Sequence, residues 1–300
     1  MVEIIEPREV PLGGPRAMTV RRTLPQKRRS LVGAWCFVDH YGPDDVAQTG
    51  GMVVPPHPHT GLQTVSWLFE GEVEHRDSTG AHALVRPGEV NLMTAGHGIA
   101  HSEVSTPSTV RLHGVQLWVA LPDADRETAP GFEHHVPDPI ALGSAALRVF
   151  VGAYAGATSP VRAFSPLLGA ELALRDDVPL RLDLDASFEH ALLVDGGTVE
   201  IDDVPAAHGT LAYLSPGRVS ATVRGRDGVR LLLLGGTPFG EEIVMWWNFV
   251  GRSHDDVAEQ RAAWQARSAR FGEVPGYVGD PSWLPAPELP HARLRPRGNA

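Results

Sequence analysis

The amino-acid sequence predicts an all-β protein with two similar domains and one short helix near its end. Its 300 residues exceed the size of one ordinary domain and suit two domains of about 100 to 150 residues each. The 32 glycines and 26 prolines favour short strands joined by many turns, because helix interiors tolerate neither residue well. Short apolar runs interrupted by turn residues also recur along the chain, which is typical of a sandwich or barrel.

The first strand-rich block begins at about Trp35, where the start of the chain gives way to alternating apolar and polar residues. Residues 63–69 and 111–119 are examples of such runs, and each is a candidate strand. Residues 121–139 are rich in Pro, Asp and Glu, which indicates a connector or a covering loop. We therefore place the first domain at residues 1–138.

The second strand-rich block runs from about Leu147 to Thr237 and repeats the pattern of the first. The shared pattern is strand, glycine turn, strand, loop and Pro-Gly turn, over residues 68–88 in one block and 193–217 in the other. Duplication of one β-barrel explains this similarity, and the alternative is that any two β domains share glycine turns. We place the second domain at residues 139–300.

One helix is predicted after the second block. Ser253 suits the position before the first helical turn, and the aspartates that follow suit that turn because acidic side chains interact favourably with the helix dipole. Residues at helical spacing continue to Phe271, and Gly272 is expected to end the helix. The predicted helix therefore covers about residues 254–271. The last twenty residues are rich in Pro and Arg and predict an extended, loosely held tail.

Charge and composition argue against several functions. The formal net charge is −10 at pH 7 and the longest basic block is Lys27-Arg28-Arg29, so nucleic-acid binding by a basic surface is disfavoured. The single cysteine, Cys36, rules out an intramolecular disulfide and is interpreted as a core residue. No apolar run approaches the roughly 20 residues that span a bilayer, and the first residues are acidic where a signal peptide would be basic. We expect a soluble, cytoplasmic monomer.

Histidine is concentrated in the first block, where seven of the 14 histidines lie between positions 57 and 113. His57-Pro58-His59 places two imidazoles two residues apart, and on a strand such residues point to the same face. His101-Ser102-Glu103 repeats this spacing with a carboxylate. A surface His-x-His often has no role, but two such pairs on strands that meet across a barrel predict a four-ligand metal site.

The predicted ligands are His57, His59, His101 and Glu103, and we expect one metal ion per chain. Imidazole and carboxylate favour a divalent transition metal such as Fe, Mn, Ni, Cu or Zn over Ca or Mg. Three nitrogens and one oxygen leave positions open on an octahedral ion, which a reaction at the metal requires.

Other polar residues of the first block carry weaker predictions. Asp39 and His40 are placed either at the mouth of the site or in structural hydrogen bonds. His97 precedes the second ligand strand, where it either lines the pocket or only shapes the loop. His75 and Asp77 are interpreted as a polar strand face.

Several segments resemble the pirin family of the cupin superfamily. The segments are Pro56–Gly61, Gly71–Ser78, Thr94–Glu103 and Trp246–Val250, together with the helix that follows. The resemblance covers essentially the whole chain, and its His-x-His and His-x-Glu segments are specific to the family.

The resemblance implies two stacked jelly-roll barrels, with one iron(II) held in the N-terminal barrel by the four predicted ligands. Most cupins take their carboxylate ligand shortly after His-x-His, where this chain has Gln63 and Thr64. Glu103 supplies the carboxylate instead, as in pirins. The second barrel is expected to lack metal, and its His190 and His208 belong to neither kind of two-residue pair.

The resemblance also implies two alternative functions. Some pirins resemble quercetinases, so the first is a quercetin 2,3-dioxygenase-type enzyme that cleaves a flavonol ring at the 2,4 positions with O2, with Glu103 as ligand and general base. The second is a non-catalytic regulator whose metal state controls binding to a transcription factor or a metabolic enzyme. A purely structural metal is disfavoured, because structural sites close their coordination shell. Open metal positions favour the enzyme.

Overall fold

In the computed structural model, which describes residues 1–11, 18–175 and 177–299, the regular structure of the chain is mostly β, as predicted. The strands up to the end of the predicted connector are β1 (Val2–Ile5), β2 (Arg8–Pro11), β3 (Thr19–Leu24), β4 (Trp35–Asp45), β5 (Val53–His59), β6 (Leu62–Glu70), β7 (Val73–Asp77), β8 (His82–Val85), β9 (Val90–Thr94), β10 (Ile99–Ser105), β11 (Arg111–Ala120) and β12 (Gly131–His135). The later strands are β13 (Ile140–Leu142), β14 (Ala145–Val151), β15 (Ala153–Tyr154), β16 (Ala157–Thr158), β17 (Leu167–Leu174), β18 (Leu180–Asp183), β19 (Glu189–Ile201), β20 (Val204–Ala206), β21 (Leu211–Leu214), β22 (Ser220–Gly236), β23 (Val244–Trp246) and β24 (Phe249–Gly251). The helices are α1 (Val46–Thr49) and α2 (His254–Gln265).

The larger sheets account for most of the strands. A seven-stranded sheet has the order β12-β9-β6-β11-β4-β3-β2, and a four-stranded sheet has the order β5-β10-β7-β8. A nine-stranded sheet has the main order β1-β21-β19-β22-β17-β14-β13, with β18 beside β22 and β20 beside β19. In the four-stranded sheet, strands that are distant in sequence become neighbours, because β10 lies between β5 and β7.

The strands group into two compact units, and this division differs from the single predicted boundary after residue 138. The leucine-rich unit comprises Met1–Glu9, Arg21–Val38 and His135–Phe239. The histidine-rich unit comprises Val10–Val20, Asp39–His134 and Gly240–Ala300. Each unit therefore contains segments from both halves of the sequence.

Long-range pairing explains why the start of the chain belongs to the leucine-rich unit. β1 pairs antiparallel with β21 along its whole length. The indole Nε1 of Trp35 donates hydrogen bonds to the carbonyl oxygens of Leu168 at 3.1 Å and Gly235 at 3.2 Å. Cys36, next to Trp35, is buried as predicted. These contacts bind the first residues to strands that are made more than a hundred residues later.

β19 and β22 supply much of the core of the leucine-rich unit. Leu192 and Val194 on β19, and Leu231 and Leu233 on β22, point into one apolar cluster and are fully buried. Their spacing of two is what a strand with one inward face requires. Burying one such side chain stabilises the fold by about 1.5–3 kcal/mol, so apolar packing carries the stability of this unit.

The C-terminal helix begins as predicted but ends earlier. Ser253 Oγ accepts a hydrogen bond from the Asp256 backbone N at 3.1 Å, and the Asp256 carboxylate accepts one from the Ser253 backbone N at 3.2 Å, which forms a capping box. The helix ends at Gln265 rather than at residue 271, because Arg267 adopts a left-handed φ of 54°. Phe271 fits the apolar spacing of the predicted helix. In the structure it lies in a bend after the helix, and its side chain is buried there.

Helix α2 packs inside the histidine-rich unit. Trp264 and Phe271 share a buried apolar cluster with Phe249 of β24 and Ala100 of β10. The rings of Trp264 and Phe271 meet edge to face, with centroids 5.3 Å apart. This packing explains why the helix groups with the earlier strands. Within the described ranges, no helix is long and apolar enough to cross a membrane.

The segment after the helix is largely without regular structure, but it is held at several points. The Leu284 backbone N donates to the Pro56 carbonyl oxygen at 2.8 Å. Trp264 Nε1 donates to the Leu284 carbonyl oxygen at the same distance. Ile243 and Arg297 exchange two backbone hydrogen bonds. The expectation of a loosely held tail is corrected by these contacts.

Candidate metal site

The candidate metal site lies on the four-stranded sheet of the histidine-rich unit. His57 and His59 lie at the end of β5, and His101 and Glu103 lie on β10. β5 is an edge strand and contains three prolines, which an edge strand tolerates because some of its N–H positions need no partner. β10 pairs antiparallel with β5 and places His101 opposite His57 and Ile99 opposite His59.

A glycine fixes the chain direction immediately after β5. Gly61 has a φ of 69°, and a Cβ at this position would lie 2.1 Å from the carbonyl oxygen of Val250. The Val250 backbone N also donates to the Thr60 carbonyl oxygen at 3.1 Å. Only glycine fits this close approach without displacing β24. The end of the ligand strand is therefore supported by the C-terminal segment.

Three of the predicted ligands come together in the structure. His57, His59 and His101 are buried, and each offers a ring nitrogen that lies within 4.8 Å of those of the other two. Their ring centroids are 4.3 Å apart for His57 and His101, 5.0 Å for His57 and His59, and 4.9 Å for His59 and His101. Three nitrogens at these separations can bind one cation.

Hydrogen bonds show which ring nitrogens remain for a cation. His57 Nδ1 lies 2.9 Å from the Pro55 carbonyl oxygen, which leaves its Nε2. The His59 ring donates to the backbone carbonyl of Asn248, and its Nδ1 has no partner among the described residues. His101 Nε2 also has no hydrogen-bond partner among the described residues. Buried polar atoms without partners are rare in proteins, so these two nitrogens fit a bound metal.

Electrostatics keep the three rings neutral. Burial lowers the pKa of His57 to about 4. Burial, together with the charges of neighbouring histidines, lowers the pKa of His59 and His101 well below the usual range. Neutral imidazole is the form that binds metals. The site can therefore accept a cation at neutral pH without first losing protons.

A pH dependence of stability follows from the lowered pKa of His57. The pKa is about 4 in the folded protein, against 6.5 for an ordinary histidine. Between these values the unfolded chain binds more protons, so the free energy of unfolding falls as the pH drops below 6.5 and levels off near pH 4. From His57 alone, we expect urea unfolding of the metal-free protein to show a loss of about 2 kcal/mol between pH 7 and pH 5. A His57→Gln variant should lose less, and an equal loss in both proteins would contradict the prediction.

Glu103, the fourth predicted ligand, is buried beside this group but is not one of the three residues whose ligand atoms converge. Ser66 Oγ lies 3.4 Å from Glu103 Oε1 and 2.9 Å from Gln116 Oε1. A hydroxyl has one proton, so the nearer Gln116 is the better acceptor. Burial raises the pKa of Glu103, and the charge of His75 and the Ser66 hydroxyl offset this only in part.

Tyr41 is a buried residue near Glu103 that the sequence did not single out. Burial raises the pKa of its hydroxyl well above the usual value, and the charges of Glu103 and Asp39 raise it further. Tyr41 is therefore a neutral hydroxyl at any physiological pH. Asp39, one of the weaker candidates, is itself fully buried.

The His75 and Asp77 side chains, interpreted as a polar strand face, lie in the interior. β7 pairs with β10 and places Asp77 opposite His101 and His75 opposite Glu103. Burial raises the pKa of Asp77, but hydrogen bonds from His75 and Thr79 outweigh it, so the net shift is downward. The feature of the sequence that could have placed these two side chains beside the site is their two-residue spacing, which is the same as in both predicted ligand pairs.

The other weak candidates lie outside the group of three histidines. His40 is fully buried, and its Nε2 lies 3.4 Å from Nε2 of His113. Its ring also meets Phe69 edge to face, at 6.4 Å between centroids. His97 is half-buried, and its backbone carbonyl accepts a hydrogen bond from Arg270 at 2.6 Å. His97 thus helps to hold the chain that follows α2.

Comparison with known proteins identifies relatives along almost the entire chain. Residues 17–119 match the family described as Pirin, and residues 169–272 match the Pirin C-terminal cupin domain. The Pseudomonas aeruginosa protein named "Putative quercetin 2,3-dioxygenase PA1205" is 45% identical over 97% of this chain and 91% of its own. A "Pirin-like protein" of Caulobacter vibrioides is 36% identical over 85% of this chain and 91% of its own.

A solved structure shares the fold. The crystal structure of quercetin 2,3-dioxygenase from Acinetobacter baumannii is 38% identical, covers 100% of this chain and 98% of its own, and has a TM-score of 0.93. The predicted fold of two cupin domains with a short C-terminal helix is therefore confirmed. By the matches to both of its domains and by these relatives, the chain belongs to the pirin family of cupin proteins.

Proposed function

We propose that the chain is a metal-dependent dioxygenase that opens the ring of a quercetin-like flavonol with O2. The observation that carries this proposal is the group of three buried histidines, with ligand atoms within 4.8 Å of one another, beside the buried carboxyl group of Glu103. Two proteins that resemble this chain over nearly its whole length bear the name of the same enzyme, which supports the proposal.

One iron(II) ion is the proposed cofactor, held by His57, His59, His101 and Glu103. Three imidazole nitrogens and one carboxylate suit a first-row transition metal, and Mn, Ni, Cu or Zn would fit the same donors. The pirin resemblance favours iron among these metals. When bound, the metal would supply a Lewis acid that polarises the substrate oxygen.

Glu103 has a second proposed role, which is to take the proton from the flavonol 3-hydroxyl group. Burial raises its pKa in the metal-free protein, which is the direction that a general base requires. Its contact with Ser66 is long, at 3.4 Å, because Gln116 lies closer to the same hydroxyl. A weakly engaged carboxylate is available to accept a substrate proton.

Aromatic side chains next to the histidines support a flat, apolar substrate. Trp118 meets the His59 ring edge to face, with centroids 5.0 Å apart. Phe132 stacks on the His75 ring at 4.7 Å and 25° and is only partly buried. Apolar faces of this kind exclude water and pack against aromatic rings. A flavonol presents such rings together with the hydroxyl that Glu103 would deprotonate.

The proposal is tested with the full-length protein loaded anaerobically with Fe²⁺. We expect about one iron per chain and, on admission of air, loss of the visible absorbance of quercetin. Metal-free protein is the matched control, and a chelator should stop the reaction. If the protein holds one iron per chain but leaves quercetin and related flavonols unchanged, the dioxygenase proposal fails. A regulator whose metal state controls binding to a partner would then be the better account.

A further inference from the structure

The four-stranded sheet carries a third pair of polar residues at two-residue spacing, beside the two predicted ligand pairs. His75 and Asp77 lie on β7, which borders β10 on the side away from β5. Both side chains are almost completely buried, at 3% and 0% exposure. The proposed ligands and mechanism leave this buried pair without a role.

The pair forms a continuous series of hydrogen bonds that ends at the proposed ligand His101. Asp77 Oδ2 lies 3.1 Å from His75 Nε2, and His75 Nδ1 lies 3.4 Å from His101 Nδ1. The other carboxylate oxygen of Asp77 accepts from Thr79 Oγ1 at 2.6 Å and from the backbone N of Thr79 at 2.8 Å and of Ala81 at 3.2 Å. The turn after β7 therefore fixes the orientation of the carboxylate.

The direction of the hydrogen bonds from Asp77 through His75 to His101 determines which nitrogen of His101 carries the proton. A carboxylate only accepts hydrogen bonds, so His75 must donate from Nε2. His75 Nδ1 then accepts the N–H of His101 Nδ1, across the 3.4 Å between these two nitrogens. The lone pair of His101 is left on Nε2, the nitrogen that has no partner within the described ranges. That tautomer is the one that can bind a cation among the three histidines.

We propose that Asp77 and His75 are positioning residues that hold the His101 ring in its metal-binding tautomer and orientation. His57 and His59 are oriented by backbone carbonyls, whereas His101 depends on a side chain that is itself held by a carboxylate. Removal of such outer partners of a metal-binding histidine typically weakens metal affinity by 10- to 100-fold. The inference rests on the metal site that we propose, and it concerns metal affinity rather than catalysis.

The main test is the affinity of the Asp77→Asn variant for Fe²⁺, measured anaerobically in competition with a coloured chelator. The asparagine oxygen can still accept from the turn, so the fold should persist, whereas its NH2 group cannot accept the His75 proton. We expect a loss of affinity of at least about tenfold. Glu74→Gln is the matched control, because this half-exposed carboxylate of the same strand contacts Arg76 and His82 instead, and it should bind within about twofold of wild type.

A second pair of variants covers the case in which Asp77→Asn does not fold. His75→Gln keeps an amide that can donate to Asp77 and accept from His101, whereas His75→Phe keeps only the bulk and the stacking on Phe132. We expect His75→Phe to bind Fe²⁺ at least about tenfold more weakly than His75→Gln. Equal affinities in this pair, or wild-type affinity in a folded Asp77→Asn protein, would overturn the inference.

A readout without metal separates this inference from the proposed function. Nitrogen-15 NMR of histidine-labelled, metal-free protein reports the tautomer of each ring. We expect His101 to carry its proton on Nδ1 in the wild type and to lose this preference in Asp77→Asn. A proton on Nε2 in the wild type would refute the positioning role even if iron binds. Wild-type protein that binds no Fe²⁺ would instead refute the metal site and, with it, this inference.

Discussion

Glu103→Gln is expected to lower quercetin turnover by at least about a hundredfold, because the variant keeps an oxygen that can face the metal but loses the base. The wild-type carboxyl group is buried, and burial raises its pKa in the metal-free protein, which is the direction that a proton acceptor requires. Glutamine has nearly the same size and cannot take a proton from the flavonol hydroxyl group. The measurement is the rate of quercetin consumption per bound iron.

The control for this prediction is the same carboxyl-to-amide change at Glu74, on the adjoining strand β7. Glu74 forms an ion pair with Arg76 at 2.6 Å and is partly exposed. Its substitution should leave the rate per iron unchanged. If Glu103→Gln retained more than a tenth of the wild-type rate at equal iron content, Glu103 would not be the base, although it could still be a ligand.

His101→Ala is expected to abolish stoichiometric metal binding. His101 is fully buried, and its ring lies next to those of both His57 and His59, so no other side chain of the group can replace it. Metal analysis after gel filtration should show about one ion per wild-type chain and far less than one per variant chain. The variant should also lose the stabilisation by metal, about 2.7 kcal/mol when free metal exceeds Kd a hundredfold.

His82→Ala is the matched control for this loss. His82 lies on β8 of the same sheet, but its side chain is half-exposed and pairs with Glu74. It should bind metal like the wild type and show the same shift in unfolding midpoint on metal addition. Full metal content in His101→Ala would show that the cation binds elsewhere in the chain.

The two-residue spacing predicted much of the candidate site, because a strand directs alternate side chains to one face whatever its partners are. His57, His59 and His101 were found in this way, and they converge in the structure. His75 and Asp77 have the same spacing, but they were interpreted as a polar strand face. Their burial depends on the pairing of β7 with β10, which no local pattern reveals.

The sequence predicted the fold class better than the division into units. Glycine turns and short apolar runs are local signals, and they indicated two β domains correctly. The pairing of β1 with β21 joins residues about two hundred positions apart and leaves no local trace. The end of α2 was also missed, because Arg267 adopts its left-handed conformation without the glycine that usually marks a helix end.

The support that the C-terminal segment gives to β5 has a consequence for biosynthesis. The ribosome makes His57, His59 and His101 in the first third of the chain, but Asn248 and Val250, which contact the end of β5, emerge about 150 residues later. At usual translation rates this delay is roughly eight to thirty seconds. During that interval the nascent chain contains His59, whose backbone partner Asn248 does not yet exist. The surroundings of His59 can therefore be completed only when synthesis is nearly finished.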